Sequence, residues 1–101
     1  MSPNKQEKLF HPDYAKELFH IAEGDYNSSL SVARDPNARL ENAFFMIQQS
    51  IEKSIKAVLV KKQIPVPLVH DLGALLAKLP SDSQPPYGYE LNELNQYAPI
   101  S

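Results

Sequence analysis

A chain of 101 residues has the length of a single domain, and 43% hydrophobic with 22% charged residues is the composition of a globular chain, not a disordered one. The lack of cysteine excludes a disulfide scaffold, thiol chemistry and a cysteine-built zinc site. A net charge of −2 provides no global basic field for non-specific nucleic-acid binding, and no apolar run approaches the ~18 residues of a membrane span.

The start MSPNKQEKLF has no apolar signal core, so a soluble, cytoplasmic protein is expected. Residues 1–11 read as an N-terminal tail, 12–98 as a helical domain and 99–101 as a C-terminal end. Nine prolines would argue against helix if they lay inside elements. They stand instead at 3, 12, 36, 65, 67, 80, 85, 86 and 99, and leave four uninterrupted stretches of helical length.

The first, Asp13 to Asp35, repeats apolar residues at helical spacing. Tyr14, Leu18 and Ile21 form one line; Ala15, Phe19, Ala22, Tyr26, Leu30 and Ala33 form the next. Pro12 suits a first helical position, and Asp13 is favourable near the positive end of the dipole. Gly24 falls mid-helix, where a close helix crossing, or second a kink, would account for it.

The second, Asn37 to Ile64, is expected to open with Asp35 as N-cap and Pro36 at the first helical position. It carries the stripe Leu40, Ala43, Phe44, Ile47, Ile51, Ile55, Val58 and Leu59, and ends near Lys61 and Lys62. It is the central helix. The third stretch predicts a short helix from near His70, with Leu72, Leu75, Leu76 and Leu79 on one side and a stop at Pro80. After a loop over 81–86, Leu91, Leu94 and Tyr97 predict a second short helix before Pro99. No segment alternates with period two. The class is therefore all-α, an up-and-down bundle of two long and two short helices.

Beside the stripe of the second helix lies a polar band of Gln49, Glu52, Lys53 and Lys56, in which Glu52 and Lys56 have the favourable i,i+4 order. On spacing alone it reads first as a solvated face and second as a binding surface. Asp25 interrupts an apolar line and is expected to be partly buried against the second helix with Lys53 or Lys56 as partner, a structural ion pair ahead of a catalytic acid. His70 and Asp71 read first as a helix start, with His70 on backbone groups, and second as a general base or ligand contact. His11 and His20 lack metal-ligand spacing, and neither a nucleophile motif nor a glycine-rich phosphate loop is present; no cofactor is implied.

In combination, Asp25, the segment Asn42 to Leu59 with its Gln48-Gln49, Glu52-Lys53 and Lys56-Ala57, then Pro67 and His70-Asp71-Leu72 before a leucine-rich helix, resemble a HEPN domain from about Tyr14 to Tyr97. The resemblance implies a helical bundle that forms homodimers. It also implies a prokaryotic protein commonly paired with a minimal nucleotidyltransferase in toxin–antitoxin-like systems. Some members are metal-independent ribonucleases with an Arg-x4-6-His motif. Here the only arginines are Arg34 and Arg39, and the next histidine after both is His70. Family members of this type usually continue into a further long helix, so the last family helix is expected to be missing.

Two functional readings follow. In the first, a binding module without an intact ribonuclease motif uses Asp25, Gln49, Glu52, Lys53, Lys56, His70 and Asp71 to engage a nucleotide, or RNA, or the acidic residues of the nucleotidyltransferase. In the second, an atypical ribonuclease uses His70 as acid/base with Lys53 or Lys56 on the phosphorane charge. A purely structural polar band is the third alternative.

Overall fold

The computed structural model describes residues 7–84. In chain order they form β1 (Glu7–Lys8), α1 (Tyr14–Arg34), α2 (Leu40–Lys61), β2 (Val66–Pro67), α3 (Leu72–Lys78) and a 3-10 turn at Ser81–Ser83. The fold is an all-α bundle. The short helix expected near 91–97 lies outside the described residues.

α1 begins where the turn at His11–Asp13 hands its carbonyls to Tyr14 and Ala15, so Pro12 precedes the helix instead of opening it. Its buried residues are Ala15, Leu18, Ala22 and Ser29. Phe19 and Tyr26, expected inside, are 43% and 50% exposed, and Ile21 is exposed as well. The two predicted lines straddle the true contact face, which runs between them.

Apart from Leu18, the buried residues of α1 are small. Ala15, Ala22 and Ser29 recur every seven residues on α1, and Ala43, Ser50 and Ala57 do so on α2. The Ser50 hydroxyl donates to the Ala22 carbonyl at 2.7 Å, so the two backbones approach closely there. With the helices antiparallel across the short 35–39 link, that register sets Ala57 level with Ala15 and Ala43 level with Ser29. Gly24 takes no part: a Cβ placed on it meets nothing within 4 Å, which removes the close crossing as its reason.

α2 starts at Leu40, four residues after Pro36. Asp35 does not cap it. Its backbone is extended, as the position before a proline requires, and its carboxylate accepts from the Asn37 amide at 2.9 Å. The same Asp-Pro pair thus builds the turn between the helices. Leu40, at the end of the predicted stripe, is exposed.

At the other end of α2, Gln63 occupies the left-handed region with φ 59°. The Gln63 amide bonds the Val60 carbonyl and the Ile64 amide the Leu59 carbonyl, the paired bonds of a Schellman cap with glutamine where glycine is usual. α3 opens on Asp71, whose carboxylate accepts from Gly73 N at 2.9 Å, and closes with the Gln84 side chain donating to the Leu76 and Leu79 carbonyls. Leu72, Leu75, Leu76 and Leu79 are all buried, as their spacing predicts, and join Leu18, Ile55, Leu59, Val60 and Val66 in the core.

Two short strands appear where no strand is expected. Glu7 pairs with Pro67 and Lys8 with Val66, antiparallel, and Glu7 Oε2 lies 2.6 Å from Lys78 Nζ. Part of the presumed tail is therefore fastened to the bundle.

Candidate functional site

Between α1, α2 and β2 lies a cleft of about 180 Å³. One wall is apolar: Phe10 from the N-terminal segment, Tyr14 and Leu18 from the first turns of α1, Val60, Val66 and Leu68. The other is polar and comes from α2 and the loop ahead of α3: Gln49, Glu52, Lys53, Lys56 and His70. The spacing 49, 52, 53, 56 puts four polar side chains on one flank of α2. The loop ahead of α3 then sets His70 over them.

The flank is not uniformly solvated. Glu52 is 1% exposed, against the expectation of an open charged face. Its partner is His70, with Nδ1 at 3.0 Å from Oε1 and 3.3 Å from Oε2, and not Lys56. His70 accordingly bonds a side chain where a backbone group was expected. With Nδ1 set against the Glu52 carboxyl group, Nε2 is the other nitrogen of a side chain 66% exposed.

Lys53 is engaged twice: Nζ donates to Asp25 Oδ2 at 2.9 Å and to Gln49 Oε1 at 3.2 Å. Of the two lysines offered to Asp25 by the sequence, Lys53 is the one that meets it. Lys56 has no ion-pair partner among the described residues and lines the cleft half-buried. Asp25 reaches the site only through Lys53, and Asp71 serves as the α3 cap outside the cleft lining.

None of the residues of the apolar wall is among the candidates of the sequence reading, Phe10 and Tyr14 included. The rings of these two lie 5.2 Å apart at 31°. A usable signal existed in Leu9-Phe10, an apolar pair just ahead of Pro12 with no other role. Arg34 sits in the last turn of α1 and Arg39 contacts Glu41 at 3.3 Å; neither lines the cleft. Among the described residues no three histidine or acidic side chains cluster as a metal site, and no helix is long and apolar enough to cross a membrane.

Searches of curated proteins and of solved structures found no match. The family model described as "HEPN domain" matches residues 15–101, most of the chain, and with the helical bundle just described it establishes that the chain belongs to the HEPN domain family.

Proposed function

We propose that this chain is a binding module of the HEPN family that takes the phosphate of a nucleotide in the cleft, forms homodimers and pairs with a minimal nucleotidyltransferase in a toxin–antitoxin-like system. One observation carries the binding part: Gln49, Lys53, Lys56 and His70 converge on one cleft, with Lys56 uncommitted to any carboxylate among the described residues. Lysine acts there as a point charge on a four-carbon stem, suited to an anion of variable position. Glu52 works behind the surface, holding the imidazole so that Nε2 points to whatever enters. Asp25 and Gln49 hold Lys53 in the same way.

The pairing rests on family membership and the phosphate on the cleft, so each has its own test. Calorimetric titration of the full chain with a mononucleotide panel is expected to show binding that Lys56→Gln abolishes; no binding of any nucleotide by the parent removes the phosphate reading. Size-exclusion chromatography with light scattering tests the homodimer and co-purification with a neighbouring nucleotidyltransferase tests the partner.

The Glu52–His70 pair favours a second reading, RNA cleavage with His70 as acid/base, because a carboxyl group behind Nδ1 and an Nε2 without a bond among the described residues is the arrangement such catalysis uses. Equal cleavage of structured and single-stranded RNA by the parent and His70→Ala would dismiss it.

A further inference from the structure

We infer that the N-terminal segment Glu7–Phe10 is a docked wall of the cleft, and that Phe10 with Tyr14 selects ligands in which the anion carries one flat ring. This rests on the anion-binding reading above and adds to it which part of the ligand the apolar wall recognises.

The segment lies ahead of residues 15–101, the part of the chain that the family model matches. It is held by independent contacts on three elements. Glu7 and Lys8 pair with β2, Glu7 meets Lys78 of α3, and the Gln63 side chain donates to the Phe10 carbonyl at 3.2 Å as well as to the Val60 carbonyl at 3.0 Å. That glutamine occupies a left-handed position that favours glycine, and its amide is what reaches the segment. The result places the Phe10 ring against Tyr14 inside the cleft, with Lys8 Nζ 4.9 Å from the ring centroid.

Size then narrows the ligand. An engineered cavity of about 150 Å³ holds a benzene molecule. A cleft of about 180 Å³ has room for one six-membered ring against Phe10 and Tyr14, and its charged substituent stays at the polar wall with Lys56 and His70. Offset or tilted packing on an aromatic pair favours such a ring over an aliphatic group of similar size. The same wall comes and goes with the segment, so ring binding and docking of residues 7–10 reinforce each other.

The test titrates the full 15N-labelled chain with methyl phosphate and with phenyl phosphate by NMR, in the parent, Phe10→Ala, Lys78→Gln and Lys56→Gln. The parent is expected to hold phenyl phosphate about tenfold more tightly than methyl phosphate. Phe10→Ala removes the preference, bringing phenyl phosphate down to the affinity of methyl phosphate. Lys78→Gln, which removes the ion pair to Glu7 without touching the cleft, reduces the preference, and phenyl phosphate alone slows amide exchange at Lys8 and Leu9. Should Phe10→Ala fail to fold, the Lys78→Gln comparison decides. Equal binding of the two phosphates by the parent, or a preference that survives both Phe10→Ala and Lys78→Gln, overturns the proposal while the anion site stands. Binding of neither phosphate overturns both.

Discussion

Gln48 and Glu52 sit one turn apart on α2, both buried, and their hydrogen bonds leave them in different states. Lysine can only donate, so the bond from Lys53 fixes Gln49 with Oε1 toward it and Nε2 away. Gln49 Nε2 then donates to Gln48 Oε1 at 3.0 Å, and buried Gln48 Nε2 is left at the end of the chain with no acceptor among the described residues. A buried donor without a partner costs more than an apolar group of the same shape. Gln48→Met is therefore expected to hold or raise stability by up to about 1 kcal/mol, read as a higher urea midpoint at unchanged slope; a fall beyond that range would show that Nε2 has an acceptor in solution. Glu52, by contrast, is tied to His70, eighteen residues on. Nothing in the local pattern announces this, because a glutamate beside two lysines has the signature of an open face. Asp25 was legible for the opposite reason: a carboxylate interrupting an apolar line must find a cation nearby, and Lys53 answers.

Among the elements, the prolines mark the helices well and their edges poorly. Asp35-Pro36 satisfies the sequence rules for a helix start and for a turn equally, and the short link between two antiparallel helices decides for the turn. The apolar periodicity of α1 misled in a similar way, since large residues flank the contact and small ones make it. Gly24 lies in an exposed stretch of that helix with open space around its Cα. Gly24→Ala is expected to stabilise the chain by about 0.5 to 1 kcal/mol, seen as a higher thermal midpoint, with no change in ligand binding. At the Gln63 cap, left-handed geometry and a useful side chain oppose each other. Gln63→Ala loses the bonds to Phe10 and Val60 while keeping the unfavourable backbone, and Gln63→Gly loses the bonds but relieves it. The glycine variant is expected to be about 1 kcal/mol more stable than the alanine variant in denaturant titration, and amide exchange at residues 8–10 should quicken in both.

At the scale of the whole molecule, the seven-residue recurrence of Ala15, Ala22 and Ser29 against Ala43, Ser50 and Ala57 sets how near the two long helices lie, and so how wide the cleft beside them opens. Ala57 is fully buried, and a larger side chain there has to push the pair apart. Ala57→Leu is expected to cost about 1 to 3 kcal/mol in chemical unfolding and to weaken anion binding along with it, because Lys53 and Lys56 ride on the displaced helix. The recurrence was present in the sequence and invisible to a search for large apolar residues. The fastening of Glu7 and Lys8 to Val66, Pro67 and Lys78 bears also on how the chain is made. During synthesis the first strand emerges with no partner, and at ~5 to 20 residues per second roughly 4 to 14 s pass before Lys78 has been added. The long hairpin of helices can close in that interval, and the N-terminus joins last. The cleft therefore comes into being only when nearly all of residues 7–84 have left the ribosome, and a nascent chain stalled before Gln63 would carry the lysines of the site with Phe10 still unfastened.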